Sequence, residues 1–136
     1  MTRRLLAIDD NMDSAELIAR IANKCGYEAR AMADSEMLPG MMSDWIPDIV
    51  TLDLCMPQDD GIAMLSLLKD KGFNGSLLII SGQDEWFRKT AGRLASARGL
   101  TVVADLCKPI SVKELRETLS ALLTDRERVN STGTEG

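Results

Sequence analysis

The sequence predicts an α/β fold in which a parallel sheet carries helices on both faces. Three observations carry this reading. Short apolar runs alternate with longer amphipathic stretches along the chain. Most of the short runs are continuously apolar, as in strands covered on both faces. Strand starts fall near residues 5, 27, 49, 77 and 101, so that one strand–helix unit fits each interval. Alternating units of this kind give a parallel sheet with right-handed crossovers.

The elements follow in order. Leu5–Ile8 is the first strand, and Asp9, Asp10 and Asn11 follow it. Met12–Cys25 places Leu17, Ile18, Ile21, Ala22 and Cys25 on one helical face and stops at Gly26. Tyr27–Ala31 is a weak strand. Asp34 or Ser35 can cap a second helix carrying Met37, Leu38, Met41 and Met42, which are read as core filler. Pro39-Gly40 should leave this helix short or distorted. Ile49–Leu52 is a β-branched strand ending at Asp53. A third helix runs from Asp60-Gly61 to about Lys71, with Asp59 and Asp60 as loop and cap residues and Ile62, Leu65 and Leu68 inward. Leu77–Ile80 is the fourth strand and ends at Ser81-Gly82. The fourth helix covers Glu85–Arg98, with Phe87, Ala91, Leu94 and Ala95 inward. Thr101–Ala104 or slightly more is the fifth strand, and Lys108-Pro109 follows. Ser111 and Glu114 form a capping box that opens the last helix, with Leu115, Leu119, Leu122 and Leu123 inward. The polar stretch after Thr124 reads as a frayed helix end and then a disordered tail or linker.

The chain has 136 residues, 45% hydrophobic and 27% charged, which suits one globular domain. Aromatics make up 4%, so Leu, Ile, Val, Ala and eight Met must fill the core. There is no histidine, which excludes Ser-His-Asp and Cys-His catalysis and His-containing zinc sites. Nor can the chain be its own phosphohistidine carrier. Sixteen basic against 21 acidic side chains give a net charge of −5, which argues against direct nucleic-acid binding. Three widely spaced cysteines without a CxxC pair fit free thiols in a reducing cytoplasm. No apolar run approaches the roughly 20 residues of a membrane helix.

In an open parallel sheet, ligands bind outside the carboxyl ends of the strands. Asp9, Asp10, Asp53, Ser81 and Lys108 all fall there, each at the end of an apolar run. Carboxylates about 4 Å apart repel by about 4 kcal/mol at an effective dielectric near 20. A hard divalent cation would neutralise them, and Mg²⁺ suits oxygen ligands and phosphoryl chemistry.

Together these motifs resemble the response-regulator receiver domains of two-component signalling. The acidic pair Asp9-Asp10, the stretch LDLCMPQDDG from Leu52 to Gly61, Ser81-Gly82 and Lys108-Pro109 carry the resemblance. It covers about residues 3–124, leaving 125–136 as the tail. It implies a flavodoxin-like doubly wound (βα)5 sheet of strand order 2-1-3-4-5. Asp53 would accept a phosphoryl group from a sensor histidine kinase or phosphotransfer protein. Asp10 would ligate Mg²⁺ (or Mn²⁺) directly, Asp9 mainly through water, and Cys55 through its backbone carbonyl. Ser81 and Lys108 would hold phosphoryl oxygens, and the Lys108–Pro109 peptide would be cis. Such a domain is no enzyme beyond its own phosphorylation and dephosphorylation. It would switch a downstream protein partner, an output domain or a homodimer through the face formed by helix 4, strand 5 and helix 5.

The side chains of Cys55 and Gln83 would flank the phosphoryl group and modulate its hydrolysis. An inert thiol is the plain reading of Cys55 otherwise. Cys25 reads as core, and Cys107 as pointing away from the site. Asp9 and Asp10 could instead cap the first helix, a task Asn11 can also perform. Many receivers carry an aromatic three residues before the lysine. Asp105 stands there, so an aromatic relay cannot operate in its usual form. Trp86 and Phe87 could both be packed, or one could lie exposed on the partner face. Three rivals remain in view. The first is a degenerate receiver that binds partners without phosphorylation. The second is an aspartyl phosphatase of the haloacid-dehalogenase type, which needs an Asp where Cys55 stands. The third is a flavodoxin-like cofactor binder, whose phosphate would meet two carboxylates after strand 1.

Overall fold

The computed structural model describes residues 3–54, 60–82 and 85–133, with the side chains of Ser35, residues 60–62 and residues 125–133 excepted. Five parallel strands, β1 (Arg4–Ile8), β2 (Glu28–Met32), β3 (Ile49–Asp53), β4 (Ser76–Ser81) and β5 (Thr101–Cys107), form one sheet in the order β2-β1-β3-β4-β5. Five α-helices alternate with them: α1 (Met12–Lys24), α2 (Leu38–Asp44), α3 (Asp60–Asp70), α4 (Glu85–Ala97) and α5 (Val112–Gly133). A single 3₁₀ turn, Ser35–Met37, precedes α2.

The sheet separates two apolar clusters. On one face, Ile18, Ile21 and Ala22 of α1 and Leu115 and Leu119 of α5 pack on Leu5, Ala7, Ile49, Leu78 and Ile80. On the other, Leu38 and Met42 of α2, Leu65 and Leu68 of α3 and Ala91 and Ala95 of α4 pack on Leu6, Ile8, Val50, Leu52 and Ile79. Adjacent strand residues thus point to opposite cores, which is why the inner strands read as unbroken apolar runs. The buried Tyr27 hydroxyl donates to the Leu119 carbonyl at 2.7 Å and ties the start of β2 to α5. Burial pushes its phenol up to about 12.

Local signals act where expected at several ends. The Asn11 carboxamide accepts from the amides of Asp13 and Ser14 and caps α1. Gly26, at φ 106°, ends that helix in a conformation other residues rarely adopt. Asp34 accepts from the Glu36 amide and starts the 3₁₀ turn. Ser111 Oγ accepts from the Glu114 amide, one arm of the capping box.

Other expectations need correction. Leu17 and Leu94 are 39% and 38% exposed, because Ala15 and Ala19 in α1 and Ala91 and Ala95 in α4 occupy the faces turned to the sheet. Met37 is 62% exposed in the 3₁₀ turn, whereas Met42 is buried and Met41 packs against the core. α2 is short, as expected, at seven residues, but Pro39 lies in its first turn rather than interrupting it, since a first-turn residue has no intrahelical use for its missing N–H. Beyond Thr124, α5 continues to Gly133. No proline or glycine occurs between Thr124 and Gly133 to stop it earlier.

A β-bulge near the start of β5 has a larger effect. Leu77 pairs with Val102 but Leu78 with Ala104, so Val103 is an extra residue. Val102 packs with the α2–α3–α4 cluster, whereas Ala104 and Leu106 pack with the α1–α5 cluster. The insertion therefore reverses the strand's facing and turns Asp105 toward α4.

Two glycines offer a test of packing. A Cβ on Gly75 would lie 1.9 Å from the Asp48 carbonyl oxygen, while one on Gly40 in α2 would meet nothing within 4 Å. Gly75→Ala should cost at least about 2 kcal/mol by overpacking. Gly40→Ala should gain about 0.5–1 kcal/mol from helix propensity. Urea unfolding midpoints of the two variants would check the opposite signs.

Candidate functional site

The carboxyl ends of β1, β3, β4 and β5 bring four polar side chains together. Ile8 pairs with Leu52, so Asp9 and Asp53 leave adjacent strands at the same level. Ser81 ends β4, and the Lys108 amide donates to its carbonyl at 2.9 Å. Asp9, Asp53 and Ser81 are 0%, 2% and 0% exposed, and they make up three of the four buried polar side chains among the described residues. Placing two carboxylates here is costly unless each is paired.

Lys108 supplies the pairing. Its ammonium lies 2.7 Å from Asp9 Oδ2 and 3.0 Å from Asp53 Oδ2, bridging strands that do not touch β5. Burial alone would lower the lysine's affinity for a proton. The hydrogen bonds to Asp9 and Asp53 outweigh it, so Lys108 titrates above its ordinary value of 10.5. The second oxygen of Asp9 accepts from the Asn11 amide at 2.9 Å, which fixes the carboxylate at the start of α1. The Lys108–Pro109 peptide is cis.

Asp10 is exposed beside this pair. Carboxylate oxygens of Asp9, Asp10 and Asp53 lie within 4.8 Å of one another, a set of hard donors that fits a divalent cation of the Mg²⁺ type. Asp9, Asp10, Asp53, Ser81 and Lys108, singled out from sequence, thus converge. Cys55 and Gln83 lie outside the described residues, as does Asp59. Cys107 is exposed, with its thiol on the carbonyl of Lys108 at 3.3 Å. Cys25 is half-buried against the α1–α5 cluster.

Asp105 makes contacts that the sequence reading missed. Arg88 Nε and Lys89 Nζ of α4 reach its two oxygens at 3.3 Å and 3.0 Å. Burial pushes its carboxyl up, but Lys89 and Arg88 more than offset this and hold it below the usual carboxylate value. An acidic residue inside a strand beside a helix with adjacent cations was the available signal. Trp86, at the start of α4, is 72% exposed, whereas Phe87 packs against the core. Among the described residues, no helix is long and apolar enough to cross a membrane.

The family model of the response regulator receiver domain matches residues 5–120. The alkaline phosphatase synthesis transcriptional regulatory protein PhoP of Bacillus subtilis is 26% identical over 129 residues, covering 93% of this chain and 51% of that protein. Response regulator MprA of Mycolicibacterium vanbaalenii is 28% identical over 123 residues, covering 90% and 51%. The chain therefore spans about half the length of these relatives. A response regulator from Colwellia psychrerythraea superposes with a TM-score of 0.75 at 29% identity, over 90% of this chain and 97% of that one. A receiver domain protein from Methanospirillum hungatei shares the fold with a TM-score of 0.71 at 17% identity, over the whole of both chains.

The bridging lysine gives a signed pH expectation. A lysine whose pKa is higher folded than unfolded contributes its stability in full below the unfolded value and loses it as pH rises through the folded one. Lys108→Met should therefore cost about 1–3 kcal/mol at neutral pH. The gap between wild type and variant should narrow as pH rises above 10.5, the ordinary lysine value. Urea midpoints measured for both proteins across that range check it.

Proposed function

The chain belongs to the response regulator receiver domain family, and on that premise we propose that it is a phosphoacceptor switch. Asp53 takes a phosphoryl group from a phosphohistidine on a sensor histidine kinase or phosphotransfer protein. The observation that carries this reading is the lysine bridge, which holds the Asp53 carboxylate at the strand ends with a cation in place. An Asp53 oxygen forms the new bond to phosphorus. The phosphorus–nitrogen bond of the donor breaks, and its electron pair returns to the imidazole.

The surrounding residues divide the work. Lys108 exchanges its contact with the carboxylate for one with a phosphoryl oxygen, and the Ser81 hydroxyl takes another. Asp9 and Asp10, with the Cys55 backbone carbonyl, complete a Mg²⁺ or Mn²⁺ site with Asp53. When bound, that ion offsets the charge on the transferring phosphoryl group. Cys55 and Gln83, two residues beyond Asp53 and Ser81, influence its hydrolysis. The receiver unit is residues 3–124, acting in the cytoplasm.

Phosphorylation adds about −1.5 to −2 charge beside Ser81 and Lys108. Ser81 ends β4 and Lys108 follows β5, the strands before and after α4, so the change is read on the α4–β5–α5 face, where Trp86 is 72% exposed. The partner there is a downstream protein, an output domain or a second copy.

Incubation with Mg²⁺ and acetyl phosphate, followed by intact-mass measurement, tests the reading. Wild type should gain one phosphoryl group and Asp53→Asn none. An unmodified wild type, or equal modification of the variant, would sink it.

A further inference from the structure

Asp105 in β5 and Lys108 just after it serve two different neighbours. Just beyond the strand's end, Lys108 reaches back to Asp9 and Asp53. Within the strand, Asp105 reaches out to α4. The bulge at Val103 gives Asp105 that direction, and its strand partner is Ile79, two residues before Ser81. Both carboxylate oxygens are used, one on Arg88 and the other on Lys89.

This clamp differs from a surface ion pair. The side chains of Arg88 and Asp105 are only 14% and 20% exposed. Separating them would leave each charge largely covered, so the pair resists opening more than an exposed pair would. Arg88 and Lys89 lie in the first two turns of α4, and three residues separate Ser81 from that helix. The start of α4 is thus held from two sides, by the chain leaving β4 and by the carboxylate of β5.

We propose that Asp105 is a positioning residue for the switch, clamping α4 to β5 in the resting state through Arg88 and Lys89. This rests on the phosphoacceptor reading of Asp53. When Asp53 is modified, Lys108 and Ser81 shift toward the new group. Both are connected to the clamp, Lys108 through β5 and Ser81 through the chain entering α4. The movement loosens the clamp and frees α4. Asp105 so fills, by charge, the coupling place at which an aromatic side chain is usual in this family.

Backbone hydrogen exchange on the full chain, with and without Mg²⁺ and beryllofluoride, tests the proposal. Binding at Asp53 is followed separately by fluorine NMR. In wild type the adduct should speed exchange in α4 by about fivefold while α1 stays unchanged. Asp105→Asn should show that faster α4 exchange without beryllofluoride, and the adduct should add little more. Arg88→Gln combined with Lys89→Gln should do the same from the helix side, and Asp105→Glu should restore the wild-type response. Adduct formation with wild-type α4 exchange in Asp105→Asn and in the double variant would overturn the clamp. So would an undiminished response of those variants to the adduct. Absence of any fluorine signal from wild type would instead overturn the phosphoacceptor reading, and with it the clamp's part in switching.

Discussion

The ammonium of Lys108 between Asp9 and Asp53 is the constraint on which the rest of this molecule turns. Two carboxylates are buried at the level where β1 and β3 end, and a cation must reach them from the far side of β4. The long Lys108 side chain leaving the end of β5 does so. The observed order places β3 inside and β5 at the edge, so the ammonium reaches across the end of β4. All four contributing chain ends open on the same side because the strands are parallel. The apolar clusters on the two faces hold the strands level, and the polar group at their ends is placed by that packing.

Most of the architecture could be read from the chain because its signals are local. Apolar runs mark β1, β3 and β4, since burial on both faces leaves few polar positions. Asn11, Gly26 and Ser111 punctuate helices by hydrogen bonds or backbone conformations within a few residues. The site was legible for a similar reason: its members each close an apolar run, and topology does the rest. Where the reading failed, the deciding interaction was non-local or ambiguous. Leu17 and Leu94 satisfy a helical period as well as their alanine neighbours do, and only close packing on the sheet selects the smaller residue. Pro39-Gly40 looks like a break until the preceding 3₁₀ turn places it in the first turn of α2.

Asp105 illustrates a further limit. Alternation along β5 would assign it to the α1–α5 face, and strand propensity disfavours an aspartate there. The inserted Val103 changes the side it faces, and two cations of α4 make that position favourable. The bulge has no signature in a single window of sequence, and the adjacent cations of α4 are the one local hint of the pairing. The functional departure at this position and the bulge are therefore one feature: the extra residue is what brings the carboxylate to the helix.

The two tryptophans occupy opposite extremes of environment. Trp45 is 3% exposed, lies 4.5 Å and 5.6 Å from the guanidinium carbons of Arg30 and Arg4, and donates from its indole nitrogen to Glu28 at 3.1 Å. Trp86 stands in water at the start of α4. The indole rings therefore differ in quenching and in emission colour, without any label being attached. Collisional quenchers in solution reach the second and not the first. The chain thus carries an intrinsic optical probe at the entrance of α4 and a shielded reference beside β2.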